Sequence, residues 1–298
     1  MAADDIVLDL PAPDGGQVRA IVDASADPQA AVAIYHHGTP FAGPLPHELV
    51  VLARASGLRL AEVVRPGYPG STRQPGRRIA DVVPLALTVA DALGAKRFVT
   101  VGWSGGGPHA LATAALAADR CAGALTLAGV GPYGEADLDF LAGMGQDNID
   151  EFGAALQGEA VLRDVLEPMR TELLTLDTDA ALAAMSSLLP PADSAWLTPP
   201  RAQWFVAGLQ HSLSESIDGL LDDDLAFCAP WGFSVADITV PVIVVQGDTD
   251  LMVPAAHGRW LASHVPTARP HLSATDGHLS ILDDLGTRAM GELRALLT

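Results

Sequence analysis

The chain has few basic residues, few cysteines and no long apolar run, and each scarcity excludes a class of protein. Lys and Arg number 17 against 36 Asp and Glu in 298 residues, so the formal net charge is −19. Such an acidic chain repels nucleic acid and anionic membrane surfaces, and neither is an expected partner. The two cysteines, Cys121 and Cys228, cannot make a disulfide framework, which fits a reducing cytoplasm.

The N-terminal sequence and the hydropathy pattern predict neither a leader nor a membrane span. The opening MAADDIVLDL lacks the positive and then apolar regions of a signal peptide. No run of 18 apolar residues occurs, so no transmembrane helix is expected. Apolar residues make up 49% of the chain and charged residues 18%, as in globular proteins with a sizeable core. We expect a cytoplasmic protein that acts on a small molecule.

Strand and helix patterns alternate over the first 130 residues. Strands are predicted at 6–10, 17–22, 31–36, 58–64, 97–102 and 123–128, and helices at 47–56, at 79–93 and from after Gly107 to Asp119. This alternation predicts an α/β fold with a mostly parallel central sheet and helices on both faces.

The alternation is interrupted once. Residues 134–236 carry helical patterns and no strand, and then a strand at 242–246, a helix at 254–264, a strand at 269–274 and a helix at 279–297 follow. A structureless loop of that length is rare, so we predict a helical cap at 134–236 inserted into a core formed by 1–133 and 237–298. The predicted cap holds 18 acidic residues and three arginines, a net charge of −15.

A strand leading into Gly102-Trp103-Ser104-Gly105-Gly106 matches the pattern G-x-S-x-G. A serine hydroxyl becomes a useful nucleophile when a sharp turn presents it beside a base. Such a turn leaves little room for side chains two positions before and after the serine. It also puts the Gly105 amide at a helix N-terminus, where it can bind developing negative charge. The pattern predicts Ser104 as a nucleophile.

Cofactor and metal patterns are missing. A dinucleotide loop needs G-x-G-x-x-G with an acid about 20 residues later, but position 104 is Ser and the next strand ends in Leu127-Ala128-Gly129. HExxH, CxxC and P-loop patterns do not occur. We therefore expect chemistry that needs neither a cofactor nor a metal.

Five short segments occur in an order that resembles the α/β-hydrolase superfamily. They are HGTP at 37–40, RPGYPGS at 65–71, GWSGG at 102–106, GDTDLMVP at 247–254 and GHLS at 277–280. The resemblance covers most of the chain outside the insertion, which lies where many members carry a helical cap. It implies the α/β-hydrolase fold and a catalytic triad in the chain order serine, acid, histidine.

The resemblance implies the partners of Ser104. The family's catalytic histidine falls in the loop that here holds His278, and imidazole suits general-base work near neutral pH. The family pattern G-x-x-D, with V-P three residues later, selects Asp250, and Asp248 is the alternative acid. The HGTP loop resembles the family's oxyanion loop, which implies the Thr39 and Gly105 amides as oxyanion donors.

Large apolar side chains near Ser104 and in the insertion are candidates for a substrate pocket. The candidates are Trp103, Met144, Trp196 and Trp204. Such residues line ligand pockets, but the same residues also form the small core of a helical cap. Both interpretations remain open at this stage.

The motif set favours a serine hydrolase that cleaves a neutral, fairly apolar carboxylic ester through an acyl-enzyme. The alternatives are an aminopeptidase resembling proline iminopeptidase, in which cap acids hold a substrate amine, and a lactonase or thioesterase. Epoxide hydrolases and dehalogenases of this fold need Asp at position 104, which is Ser here. A ligand-binding protein that kept the fold is the non-enzymatic alternative, since fold does not fix function.

Overall fold

The computed structural model describes residues 5–297, which contain eight β-strands in one sheet. The strands are β1 (Ile6–Pro11), β2 (Gln17–Val22), β3 (Ala31–His36), β4 (Leu58–Val63), β5 (Phe98–Trp103), β6 (Cys121–Leu127), β7 (Val242–Gly247) and β8 (Ala268–Ser273). Their order across the sheet is β1-β2-β4-β3-β5-β6-β7-β8. β2 pairs antiparallel with β1 and β4, and the other pairs are parallel. The predicted mostly parallel sheet is confirmed.

Eleven α-helices lie within the described residues. They are α1 (His47–Ala55), α2 (Val83–Ala92), α3 (Gly106–Leu116), α4 (Gln146–Ala155), α5 (Glu159–Leu173), α6 (Thr178–Ala184), α7 (Pro191–Trp196), α8 (Pro199–Ser212), α9 (Asp218–Phe227), α10 (Ala255–His264) and α11 (Asp284–Ala295). Residues 128–241, all of them described, contain α4 to α9 and no strand. Residues 134–236 are called the helical segment below.

Apolar side chains bury both faces of the sheet. In β7, Ile243 and Val245 join the cluster that contains Leu49 of α1, whereas Val242 and Val244 join the cluster on the opposite face. This alternation follows from the two-residue period of a strand. Helices therefore cover the sheet on both sides, as the continuous apolar runs of the parallel strands predict.

Two predicted helices differ from the observed ones at their N-terminal ends. The helix predicted at 79–93 begins with a 3₁₀ turn, Ile79–Val82, before α2. The helix predicted at 279–297 begins as α11 only at Asp284, after a separate 3₁₀ turn, Ser280–Leu282. No helix within residues 5–297 has the length and hydropathy needed to cross a bilayer.

Candidate active site

Ser104 occupies the tight turn between β5 and α3. Its φ is +55°, a left-handed conformation that non-glycine residues adopt mainly where the surrounding structure imposes it. The Ser104 N–H donates to the Leu127 carbonyl of β6 at 2.8 Å, and the Gly107 N–H donates back to the Ser104 carbonyl at 2.9 Å. Bonds on both sides therefore hold the serine in its strained conformation.

The glycines around Ser104 are required by close packing. A Cβ on Gly102 would collide with the Gly106 carbonyl oxygen, and a Cβ on Gly106 would collide with the His36 carbonyl oxygen of β3. Both obstacles are backbone atoms, which cannot move aside as a flexible side chain can. The G-x-S-x-G spacing is thus explained by the turn itself.

His278 and Asp250 meet at the ends of different strands. Asp250 follows β7 and His278 follows β8, and His278 Nδ1 lies 2.8 Å from Asp250 Oδ2. Asp250 Oδ1 accepts the Met252 and Val253 amides at 2.8 Å each, which fixes the carboxylate. Asp248, the alternative acid, instead accepts a hydrogen bond from Arg259 at 2.8 Å. Of the two acids, the structure brings Asp250 to His278.

His278 is 2% exposed, and its environment favours the charged imidazolium. Burial alone would lower the pKa of His278, but the charge and hydrogen bond of Asp250 and the charge of Asp193 outweigh burial and raise that pKa above its ordinary value. Because Nδ1 is bonded to Asp250, Nε2 is the ring nitrogen left for proton transfer. His278 and Ser104 border the same cavity.

Asp193, a fully buried residue of α7, holds the loop that carries His278. Its Oδ2 accepts the His278 N–H at 2.7 Å, and its Oδ1 accepts the Leu279 and Ser280 amides at 3.0 and 2.9 Å. A carboxylate that accepts several backbone N–H groups is a strong, directional anchor. A residue of the helical segment therefore fixes the position of the histidine.

The loop after β3 lies beside the turn that carries Ser104. A Cβ placed on Gly38 would lie 3.6 Å from Ser104 Cβ, and one on Gly105 would collide with the Thr39 hydroxyl. Thr39 and Gly105 therefore adjoin one another next to Ser104, and both border the cavity. Gly105 directly precedes α3, whose first amides have no intrahelical acceptor.

A buried ion-pair network fixes the Thr39 loop. Asp223 of α9 accepts hydrogen bonds from the Thr39 hydroxyl at 2.7 Å, from the Tyr68 hydroxyl at 2.9 Å and from Arg65 Nε at 3.0 Å, and it also pairs with Arg77. Burial alone would raise the pKa of Asp223, but the charges of Arg65 and Arg77 hold it well below its ordinary range. A second acid of the helical segment is thus bound to the loop of a predicted oxyanion donor.

His37 braces the same loop through both of its ring nitrogens. Its Nε2 accepts the Arg65 N–H at 3.1 Å, so its Nδ1 carries the proton and donates to the Gly38 carbonyl at 2.7 Å. Burial, together with the charge of Arg65, lowers the pKa of His37 well below its usual value. A neutral ring that serves as both donor and acceptor braces the loop between Gly38 and Arg65.

Ser104 and His278 open into a cavity of about 440 Å³ between the sheet and the helical segment. This volume is typical of small-molecule sites, which span roughly 300–1,000 Å³. Apolar side chains form most of its wall, among them Phe41, Trp103, Leu166, Met169, Leu209 and Phe227. Trp103 is the member of the predicted pocket set that borders the cavity.

Three predicted pocket residues lie elsewhere, which corrects the prediction. Met144, Trp196 and Trp204 are not part of the cavity wall formed by the described residues. Met144 packs in the core cluster on the other side of the sheet from α1, Trp196 donates to Asp283 at 3.1 Å, and Trp204 lies behind Phe41 with 4.8 Å between ring centroids. These side chains therefore pack against other residues of the fold and not against the cavity.

The sequence patterns do not single out the further acids that belong to the site. Asp193 and Asp223 anchor its loops, and Glu151 and Asp224 border the cavity. The helical segment holds 18 acids, and nothing in their spacing separates buried ones from solvated ones. Among residues 5–297, no group of three or more His, Cys, Asp or Glu side chains is arranged to hold a metal ion.

Comparison with known sequences identifies the family. A family model described as alpha/beta hydrolase fold matches residues 34–285. The curated protein Epoxide hydrolase B of Mycobacterium tuberculosis is 30% identical over 181 residues, which are 54% of this chain and 50% of that protein. The chain thus spans about half the length of the curated relatives it matches.

Solved structures share the whole architecture at low sequence identity. An alpha/beta hydrolase fold protein from Nakamurella multipartita matches with a TM-score of 0.64 and 20% identity, over 98% of this chain and 100% of that one. The esterase RhEst1 from Rhodococcus sp. ECU1013 gives 0.67 and 18%, over 98% of each chain. The enol-lactonase from Burkholderia xenovorans LB400 gives 0.66 and 19%, over 97% and 100%. The chain belongs to the alpha/beta hydrolase fold family.

Proposed function

We propose that this protein is a serine hydrolase that cleaves a neutral, fairly apolar carboxylic ester of a small molecule. The observation that carries the proposal is the constellation around the cavity. Ser104 stands on a strained turn, and His278, bonded to Asp250 at 2.8 Å, borders the same cavity. Nucleophile, base and orienting acid are the three roles that acyl transfer requires.

The proposed reaction has two halves. Ser104 attacks the ester carbonyl while His278 takes its proton, and the imidazolium then protonates the departing alcohol. Water, deprotonated by the same His278, releases the acid from the acyl-enzyme. Asp250 keeps the imidazole in the correct tautomer and stabilises its charged form. The raised pKa of His278 follows from this pairing.

The Thr39 and Gly105 amides are the proposed oxyanion donors. Support comes from the adjacency of both residues to Ser104 and from the position of Gly105 at the start of α3. Removing one such donor typically costs about 2.7–4 kcal/mol of transition-state stabilisation. The Asp223 network, which holds the Thr39 side chain, would keep this donor aligned before substrate arrives.

We further propose that residues 134–236 act as a cap on a core of 1–133 and 237–298. The support is that α5, α8 and α9 contribute wall residues to a cavity whose floor is the nucleophile turn. Apolar walls favour an apolar acyl or alcohol group by the hydrophobic effect.

Epoxide hydrolysis, the activity in the name of the Mycobacterium tuberculosis relative, does not fit the residue at position 104. Epoxide opening in this fold uses an aspartate nucleophile, whereas position 104 is Ser. Serine fits acyl transfer, in line with the esterase and enol-lactonase named among the structural neighbours.

The test is turnover of 4-nitrophenyl butyrate by the purified protein and by Ser104→Ala. We expect the variant to lose at least about 10³-fold in kcat/KM, since residual catalysis comes only from binding and the oxyanion site. Ser263→Ala, on α10 outside the cavity wall, is the matched control and should keep wild-type turnover. Full turnover by Ser104→Ala would overturn the proposal.

A fluorophosphonate probe separates an enzyme from a ligand-binding protein of the same fold. Labelling of Ser104 requires an activated hydroxyl, whereas ligand binding does not. The expected result is stoichiometric labelling that Ser104→Ala abolishes and Ser263→Ala retains.

A further inference from the structure

Helix α5 contributes a row of apolar side chains to the cavity wall. They recur every three or four positions in α5 and in the turn after it, at Val165, Leu166, Met169, Leu173 and Leu176. This spacing puts them on one face of the helix. Glu172 also borders the cavity from α5, but it is an exposed residue. The residues named first are called the α5 row.

Helix α8 contributes a second apolar row. Phe205, Leu209 and the C-cap Leu213 follow one another at intervals of four residues, border the cavity and are at most 5% exposed. Gln210 of the same helix donates to the Leu173 carbonyl at 2.9 Å, which ties α8 to the end of α5. Part of the cavity therefore lies between two apolar helix faces, the α5 row and the α8 row.

The two rows set a length for what they can bind. Leu173 is eight positions after Val165, and Leu213 is eight positions after Phe205, which is roughly 12 Å at a rise of about 1.5 Å per residue. An extended alkyl chain with C–C bonds of about 1.5 Å advances roughly 1.3 Å per carbon, so about nine or ten carbons cover this distance.

The cavity volume gives a matching limit. One water molecule takes roughly 30 Å³ in the liquid, and a methylene group is of similar size, so the cavity of about 440 Å³ holds about fifteen heavy atoms. A ten-carbon acyl group and the two ester oxygens leave room for an alcohol of about three heavy atoms. The wall formed by the described residues contains no Lys or Arg, so nothing in it would pair with a charged carboxylate at the chain end.

The polar part of the wall lies beside the loop that carries Asp250. Asn148 of α4 borders the cavity and donates to the Met252 carbonyl at 3.0 Å, and Asp147 and Asp150 next to it are exposed. In the proposed mechanism His278 protonates the departing alcohol, and His278 is bonded to Asp250. The alcohol part of the substrate would therefore lie on this polar side.

The apolar rows begin on the other side, at the loop after β3. Phe205 of the α8 row stacks on Phe41 with 5.6 Å between ring centroids, and Phe41 is two residues after Thr39. With the carbonyl oxygen at the Thr39 and Gly105 amides and the alcohol beside His278, the acyl chain is left to extend along the rows.

We propose that the α5 and α8 rows form a channel for a linear, uncharged acyl chain of about eight to ten carbons. The inference rests on the proposed hydrolysis at Ser104 and names its substrate class, medium-chain fatty acyl esters of small alcohols. Water cleaves such an ester into the fatty acid and the free alcohol. Met169, at the middle of the α5 row, is the residue placed to limit chain length.

The test compares two isomeric esters. Ethyl decanoate and decyl acetate have one molecular formula and differ in which side of the ester carries the long chain. Acid release at constant pH gives kcat/KM for each. Because the channel buries the acyl chain, we expect ethyl decanoate to exceed decyl acetate by at least about tenfold. From ethyl butyrate to ethyl decanoate, kcat/KM should rise about threefold per methylene, and it should fall again at ethyl tetradecanoate.

Met169→Trp should shorten the channel. Met169 is partly buried, and the larger indole would fill the space between the rows at half their length. The ratio of kcat/KM for ethyl decanoate to that for ethyl butyrate should fall at least about tenfold. Val161→Trp is the matched control: it puts the same side chain on α5 at an exposed position outside the cavity wall and should keep the wild-type ratio.

Binding without turnover separates the channel from the chemistry. In Ser104→Ala, calorimetry should show 1-decanol binding at least about 50-fold more tightly than 1-butanol, and Met169→Trp in that background should remove most of this difference. An optimum at ethyl butyrate, faster cleavage of decyl acetate, or an unchanged ratio in folded Met169→Trp would overturn the channel and leave the proposed hydrolysis standing. Tight binding of 1-decanol without turnover of any ester would support the channel and refute the hydrolysis.

Discussion

Replacing Asp193 by Asn removes one negative charge and one acceptor from the loop that carries His278. Asp193 Oδ1 accepts the Leu279 and Ser280 amides, and Oδ2 accepts the His278 amide at 2.7 Å. Asparagine has a single acceptor oxygen, so if Oδ1 keeps its bonds, the new NH₂ group faces the His278 N–H. One charge-assisted hydrogen bond is lost and one buried donor is left without an acceptor.

The expected cost is about 2–3 kcal/mol of unfolding free energy, the value of a hydrogen bond to a charged group in a buried site. This is a large part of the roughly 5–15 kcal/mol that stabilises a typical domain. Urea unfolding followed by circular dichroism measures it. Asp177→Asn is the matched control: Asp177 is an exposed N-cap whose side chain accepts from Ala180, and Asn caps helices as well as Asp does.

The Asp193→Asn variant should also shift the pH dependence of kcat/KM. The charge of Asp193 helps to raise the pKa of His278, and a general base works only when neutral, so activity falls as pH drops through that pKa. Without the charge the pKa of His278 falls, and the acid limb of kcat/KM for 4-nitrophenyl butyrate moves to lower pH. An acid limb that stays in place or moves upward would refute the electrostatic role, and unchanged stability would refute the hydrogen-bond role.

Four further substitutions test the site. Asp250→Asn should lower kcat by about 10⁴-fold through the wrong histidine tautomer, whereas Asp248→Asn should stay within about twofold in the same ester assay because Asp248 bonds to a half-exposed arginine. Asp223→Ala leaves the Arg65 guanidinium buried with less counter-charge and should cost about 3–5 kcal/mol in urea unfolding, so a loss below about 1 kcal/mol would contradict the network. Gly102→Ala forces a Cβ into the Gly106 carbonyl, and soluble protein with wild-type turnover would show that the turn is looser than described.

The sequence predicts the sheet well because the strand signals are local. Strand β7, predicted at 242–246, is observed at Val242–Gly247 between two turn-forming stretches. The last helix is predicted poorly at its start. Residues 280–282 form a separate 3₁₀ turn, and α11 starts only at Asp284. The amides of His278, Leu279 and Ser280 bind Asp193, which lies far away in the sequence and which no local pattern reveals.

The proposed nucleophile, base and acid are predictable because each lies in a short motif whose geometry requires particular residues. The anchoring acids Asp193 and Asp223 cannot be predicted in this way. In the sequence, a buried carboxylate of a helix looks the same as a solvent-exposed one until its partner is known. Asp223 and its partner Arg65 are 158 positions apart. The pocket residues cannot be predicted either, because helix packing and a cavity wall both need large apolar side chains. Only the folded structure shows that Trp103 borders the cavity, whereas Trp196 bonds to Asp283.

Asp193 and Asp223 limit which helices of the helical segment can be exchanged for those of another family member. A chimaera that replaces the helical segment with that of another family member would delete Asp193 and Asp223 together. The rest of this chain would keep the turn that carries Ser104. The loop that carries His278 would lose the acceptor for three of its amides, and Arg65 would lose its buried counter-ion. A graft that alters substrate choice therefore has to retain α7 and α9 and exchange only the helices between β6 and α7, residues 146–184.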